Sequence, residues 1–310
     1  MKNISGVLNL NKPAGKSSHD MVYFARRVYG VKKAGHAGTL DPEASGVLPI
    51  LVGSATKLSD LLLNHDKKYR AVLKLGVTTD TMDATGKILK TCGELPDFWQ
   101  VREACGGFTG EIMQTPPMYS AVKINGRKLY EYARKNIDAA DLAREIEPRK
   151  IKIYELACGQ TGQAGEFILN ISCSKGTYIR SLCHDIGEKL GCGGIMSDLC
   201  RTAAGRFEIA QAHAPEYVQS LESPESLLVS CERVLQNFTG HKIILDAFYS
   251  KLAKNGAEIY LHKLGLDKSG RLNFDAGDRI MMYDDQNMLF ALGEVKNFAG
   301  GAACKPQIFV

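Results

Sequence analysis

The sequence predicts an α+β fold, and three observations lead there. Segments with strand periodicity outnumber those with helical periodicity. Helices interrupt the strands irregularly, without the βαβα rhythm of a doubly wound parallel sheet. Beyond Gly240 the texture changes to short strands separated by turn residues, as expected of a second, smaller unit. A chain of 310 residues, 45% hydrophobic and 24% charged, has room for two domains of ordinary globular composition.

The elements follow in order. Val7 to Asn11 reads as a short strand stopped by Pro13. Ser17 or Ser18 caps a helix whose apolar face is Met21, Val22, Ala25 and Val28, with Arg26 and Arg27 turned away. After a glycine-rich loop come an apolar strand, Val47 to Val52, and helical spacing from Thr56 to Leu63. Ala71, Leu73, Leu75 and Val77 alternate on one face of a half-buried strand, Tyr69 to Val77. Phe98 to Cys105 reads as a helix and Phe108 to Met113 as a short strand. Ala121 to Ile124 is a strand ending in an Asn125-Gly126 turn, and Leu129 to Arg134 begins a helix. The charged, irregular stretch from Asn136 to Pro148 is expected to be a mobile element. Ile151 to Leu156 and Phe167 to Cys173 alternate as strands. Thr177 is expected to cap a helix through Leu190 that stops at Gly191. A helical connector containing Pro224 spans Pro215 to Phe238. Strands follow at Ile243 to Leu245, Ala257 to Leu261, Arg279 to Tyr283 and Leu289 to Val295, with an Asn255-Gly256 turn among them.

Composition narrows the function classes. None of the nine cysteines forms a CxxC pair, and Cys183, Cys192 and Cys200 are too widely spaced for a zinc knuckle. Reduced thiols, no metal and a cytoplasmic location are therefore expected. The apolar run near Val7 is too short for a signal peptide and contains Asn9. The run from Gly46 to Ala55 is about half the roughly 20 residues a membrane span needs, so no membrane is expected. A net charge of +5 is compatible with an RNA partner without identifying one. Gly15-Lys16-Ser17 after a strand has the tail of a P-loop. Leu10 stands where that pattern needs glycine, and Pro13 fits a phosphate cradle poorly, which excludes it.

The stretch Gly35-His36-Ala37-Gly38-Thr39-Leu40-Asp41-Pro42-Glu43-Ala44-Ser45-Gly46 places one carboxylate, Asp41, in a glycine-rich loop between two apolar runs. Glycines permit backbone conformations closed to other residues, and Pro42 fixes φ just after the acid. A carboxylate held this way can be aimed at a ligand. Standing alone, the same residues also make an ordinary Asp-Pro turn.

Five further segments accompany it: Val7 to Ser18, with its Lys12-Pro13-Ala14-Gly15-Lys16-Ser17-Ser18 turn; Lys67-Lys68-Tyr69-Arg70-Ala71; Thr79 to Gly86; Gln114 to Lys123; and Cys173 to Leu182. Together, in this order and spacing, they resemble the TruB-type tRNA pseudouridine synthases over most of the chain. The resemblance implies a mixed, mainly antiparallel sheet with the active site in a cleft across it. It implies a catalytic domain over 1–236 with a thumb-like insertion at about 118–148. It further implies a small C-terminal PUA-like β-barrel, an RNA-binding domain, over 240–310. The implied activity is isomerisation of uridine-55 in the tRNA T loop, with no cofactor and no required protein partner, by a monomer acting on the T arm.

The resemblance makes Asp41 the catalytic residue and Arg180, of Tyr178-Ile179-Arg180, its partner. A cleft that excludes water raises a carboxylate's pKa, and a fixed guanidinium counters that. Flanked by Tyr178, Ile179 and Leu182, Arg180 is expected to be partly buried, where an unpaired charge is poorly tolerated. By the same resemblance Tyr69 stacks on the extruded uracil and handles a proton at C5; alone, a strand tyrosine packs a core. Tyr178 is placed in the substrate site, and Leu199, in Ser197-Asp198-Leu199-Cys200-Arg201-Thr202, packs against the base. His36 enters the RNA loop as the uridine leaves, substituting its stacking; a lone histidine is otherwise structural. Lys12, Lys16, Lys67, Lys68 and Lys123 flank the motifs and are expected along the RNA path. Whether Asp41 attacks C6, attacks C1′ or abstracts a sugar proton is open at this level. Two rivals share the fold. A non-catalytic RNA binder would not need Asp41, Tyr69 and Arg180 together. The guide-dependent archaeal and eukaryotic synthases work with partner proteins on ribosomal RNA.

Overall fold

The computed structural model describes residues 4–124, 126–133, 146–265 and 274–310. Its frame is a ten-stranded sheet. The main path runs Leu228–Val229, Gly6–Lys12, Ser45–Val52, Gly194–Ala204, Lys67–Leu75, Glu166–Cys173, Arg149–Gln160, Gly110–Gln114. Every neighbouring pair on this path is antiparallel except Ser45–Val52 against Gly194–Ala204, which is parallel. The expected mixed, mainly antiparallel α+β architecture is thus the one observed.

Alternation decides what each strand buries. Ala71, Leu73 and Leu75 face the core while Lys68, Arg70 and Lys74 face solvent. The buried face meets the helices Ser18–Tyr29, Phe98–Gly106 and Ile179–Lys189, with Leu10, Ile50, Leu73, Leu169 and Leu182 at the centre. Ser17 starts the first of these helices with a capping box shared with Asp20. A second apolar cluster joins Val7, Leu51 and Leu58 to Val234, Leu235, Met281 and Leu292, fastening the C-terminal part to the large sheet. That part is a five-stranded sheet in the order Lys242–Ile244, Arg279–Tyr283, Leu289–Phe298, Gly301–Phe309, Ile259–Tyr260, with its own core. Its strand order is linear, so it forms a curled half-barrel. No helix among the described residues is long and apolar enough to cross a membrane.

Several elements depart from the sequence reading. The strand expected to run to Val77 stops at Leu75, because Gly76 takes φ +85° and turns the chain; Val77–Thr79 then pairs with Ile88–Thr91. Thr177 does not cap its helix. Its hydroxyl donates to the Ser174 carbonyl (3.0 Å), and Tyr178 stands at the N-cap without a side-chain bond. Asn255 and Gly256 close a helix, Ala247–Lys254, instead of joining two strands. The largest omission is Gly194–Ala204, a strand at the middle of the main sheet. Register shifts at Met196/Asp198 and Arg201/Ala203 break its alternation, so no period of two shows in the sequence. In the expected insertion, Lys123 pairs with Lys128 and Ile124 with Arg127, ahead of a short helix, Leu129–Ala133. Asn125 of the expected turn and residues 136–145 of the expected mobile element lie outside the described residues.

Candidate active site

The strand Ala34–His36 pairs antiparallel with Ser45–Val52, and the loop between them carries Asp41. Backbone anchors fix this loop. The Ser18 hydroxyl donates to the Leu40 carbonyl (2.9 Å) and accepts from the Leu40 amide (2.8 Å). The Gly15 amide donates to the Pro42 carbonyl (2.9 Å). The Lys12 ammonium, fully buried, donates to the carbonyls of Pro42 (2.8 Å), Pro13 (2.8 Å) and Lys16 (2.6 Å).

This corrects the expectation that Lys12 lines the RNA path. It lies on the same side of its strand as Leu8 and Leu10 and points inward. There it serves as a strut between the first turn and the Asp41 loop, and burial pulls its pKa down to about 8. Lys67 is corrected on the same ground. It shares a strand face with Ala71, is buried, and donates to the carbonyls of Leu63 (2.7 Å) and His65 (2.5 Å). Lys16, Lys68 and Lys123 are exposed.

Arg180 reaches the loop from the helix Ile179–Lys189. Its Nε lies 3.0 Å from Asp41 Oδ2, and its Nη1 lies 3.7 Å from Asp83 Oδ2. Nη1 also donates to the Thr81 carbonyl (3.3 Å) and Nη2 to the Tyr119 carbonyl (3.0 Å). The Arg180 side chain is 7% exposed, whereas that of Asp41 is 42% exposed. The acid therefore opens to solvent while the arginine beside it is enclosed. Water displaced around Asp41 pushes its pKa above its ordinary value. Arg180 opposes that push and Asp83 adds to it.

Asp83 was not singled out by the sequence reading, although its motif was. Its Oδ1 accepts from the Thr81 hydroxyl (2.7 Å), the Thr85 hydroxyl (2.6 Å) and the Thr85 amide (3.0 Å). The Thr-x-Asp-x-Thr spacing was the available signal, since threonines two residues away on either side can hold a carboxylate in one orientation.

The remaining residues come from neighbouring strands. Tyr69 lies opposite Arg201 in the sheet, and Leu199 lies opposite Ala71. Tyr69 is half-buried against the main core. Burial raises the pKa of its phenol, the Arg201 guanidinium opposes this, and the charge of Asp41 adds to it. Leu199 is a buried member of that core. His36 sits in a strand opposite Ile50. Burial first, then Arg201 and His19, lower its pKa, so at neutral pH it is an uncharged ring with a buried Nδ1. Tyr178 is tied by its backbone to the Gln114 side chain, donating at 2.8 Å and accepting at 3.0 Å. Its ring packs with Val122, Leu129 and Ile146. The structure thus brings Asp41 and Arg180 into direct contact, with the charge of Asp41 felt at Tyr69, and packs Tyr178 against Val122, Leu129 and Ile146.

Residues 26–179 match the family model described as TruB family pseudouridylate synthase (N terminal domain). Residues 180–236 match that of the tRNA pseudouridylate synthase B C-terminal domain. The chain is 46% identical over 261 residues to tRNA pseudouridine synthase B of Alkaliphilus oremlandii, covering 84% of this chain and 85% of that one. It is 49% identical over 312 residues to tRNA pseudouridine synthase B of Heliobacterium modesticaldum, covering 98% and 95%. Among solved structures, one of a Cbf5-Nop10-Gar1 complex is similar with a TM-score of 0.68 at 24% identity, over 99% of this chain and 85% of that one. At that identity the likeness is one of fold.

Proposed function

Because the chain belongs to the TruB family of pseudouridylate synthases, we propose that it isomerises a tRNA uridine to pseudouridine, at position 55 of the T loop, with Asp41 as the catalytic group. The observation that carries the role of Asp41 is its ion pair with Arg180 at 3.0 Å, which sets a solvent-open acid against an enclosed guanidinium. The reaction breaks the bond from C1′ to N1, turns the base over, joins C1′ to C5 and moves the C5 proton to N1. Nothing is gained or lost, so no energy source enters. What the site must supply is an anion at the junction of sugar and base, a surface for the extruded ring, and a route for the proton.

Asp41 is the anion, kept charged by Arg180 against the effect of burial. Tyr69 and Leu199, on adjacent strands, supply the surface and, through the phenol, the proton contact. His36, uncharged, suits stacking inside the vacated RNA loop more than acid–base work. The exposed Lys16, Lys68 and Lys123 contact phosphates. Tyr178 acts on substrate through the insertion it anchors, the element closing on the T arm. The reading includes a catalytic domain over 1–236, an RNA-binding domain over 240–310, and a cytoplasmic monomer that needs no protein partner.

On unmodified tRNA, chemical labelling and primer extension should map pseudouridine to position 55 alone. An isolated T-arm hairpin should be modified, and a tRNA lacking that arm should not. Product elsewhere in the tRNA would overturn the T-arm assignment. Tyr69→Phe should bind tRNA within about twofold of the parent. Its single-turnover rate should fall by about 10²-fold, the scale of a lost proton-transfer group. Weakened binding with an unchanged rate would show Tyr69 to be a binding residue only.

A further inference from the structure

Arg201 lies on the central strand Gly194–Ala204, is 1% exposed, and is the largest fully enclosed side chain among the described residues. None of the ion pairs among the described residues involves it. A guanidinium in such a place is costly, and an apolar side chain would fill the space without that cost. What the cation adds is direction. Nε donates to the Val47 carbonyl (2.7 Å), Nη2 to that of Gly38 (3.0 Å) and Nη1 to that of Thr39 (3.4 Å). Gly38 and Thr39 precede Asp41, and Val47 follows it, so one planar group grips both flanks of the loop. The backbone is pressed close here as well. Arg201 lies opposite Gly46 in the parallel seam of the main sheet, and a Cβ at Gly46, whose φ is +104°, would strike the Arg201 main chain. On the other side the same residue faces Tyr69.

We propose that Arg201 is a positioning residue for the reaction: through the carbonyls of Gly38, Thr39 and Val47 it holds the Asp41 carboxylate at its working distance from Arg180 and keeps Tyr69 in line with it. It acts through these carbonyls and through the Tyr69 phenol that its guanidinium faces. The proposal rests on Asp41 being the catalytic group. It is distinct from the role of Lys12, which holds Pro42 on the far side of the acid.

The full-length chain is compared with Arg201→Met, Arg201→Lys and Asp41→Asn for thermal melting, tRNA affinity, single-turnover rate and the pH dependence of that rate. Arg201→Met is expected to bind tRNA within about twofold of the parent and to react about 100-fold more slowly, the loss expected of a misplacement near 1 Å. Its acid limb should move to higher pH. The charged groups facing Asp41 are Arg180, Asp83 and Lys12, and a carboxylate that drifts from Arg180 loses the strongest influence holding its pKa down. Arg201→Lys keeps the charge but gathers its donors on one nitrogen, without the planar fork that reaches both flanks of the loop, and should lose about 10-fold. A loss of rate that only follows a loss of tRNA binding, with the acid limb unmoved, would reduce Arg201 to a structural residue and overturn the proposal. So would a parental rate in either folded variant, and Arg201→Lys keeps the test alive if the methionine variant does not fold. Activity in Asp41→Asn would instead remove the reading of Asp41. An inert Asp41→Asn beside fully active Arg201 variants would remove this inference alone.

Discussion

Asp41→Asn abolishes pseudouridine formation and leaves tRNA binding intact: that is the expected result of the most telling single substitution. Asparagine matches aspartate in shape and can still accept from Arg180 Nε through its amide oxygen, so the loop has no reason to move. What it cannot do is carry a negative charge. Removing the reacting group should cost at least about 10⁴-fold in single-turnover rate. Affinity should change little, because phosphate contacts made elsewhere dominate RNA binding. The measurement is release of tritium from C5-labelled uridine in tRNA, with filter binding run in parallel. Undiminished release from the asparagine variant would end the assignment.

Arg180 should show the second largest effect, and with a pH signature. Its guanidinium stands between Asp41 at 3.0 Å and Asp83 at 3.7 Å. Arg180→Met leaves two carboxylates facing each other with their shared cation gone. Burial already holds the Asp41 pKa above its ordinary value, and removing the main opposing influence raises it further. Since the ionised form reacts, the acid limb of kcat/KM should shift upward in pH. The loss at neutral pH should be about 10³-fold, recovering in part as the pH is raised. Arg180→Lys keeps one charge without the fork that reaches both acids and two carbonyls, and should fall between the parent and the methionine variant. An acid limb that stays put in Arg180→Met would show that the arginine does not control the ionisation of Asp41.

The sequence carried the chemistry further than the architecture. Asp41 and Arg180 were readable because each stands in a motif where the residue types restrict one another: glycines and proline around the acid, apolar neighbours around the arginine. Asp83 was harder, because a Thr-x-Asp-x-Thr run is an ordinary loop until an arginine from a helix a hundred residues later lands beside it. Lys12 and Lys67 misled, since a lysine in a basic motif reads as a surface charge. Only the sheet shows that they fall on the inward side of their strands, satisfied by carbonyls. Arg201 hid for a related reason. Its strand carries two irregularities that scramble the alternation, so nothing in the sequence marks it as enclosed. The strand Gly301–Phe309 was also missed; with Lys305 and Pro306 near its middle it lacks a clean apolar run.

The parallel seam has a consequence for how the enzyme comes into being on the ribosome. Ser45–Val52 and Lys67–Leu75 are made early, but the strand that lies between them, Gly194–Ala204, is made more than a hundred residues later. Until it emerges, the facing edge of Lys67–Leu75 and the Ser45–Gly46 end of Ser45–Val52, the part that Ala34–His36 leaves uncovered, wait unpartnered, exposed to mispairing with neighbouring chains. A nascent polypeptide halted before Gly194 would hold its acid yet lack the wedge that completes the sheet. Such fragments should be caught by chaperones or clump together, so translation must run nearly two-thirds of its course before any of this machinery can exist.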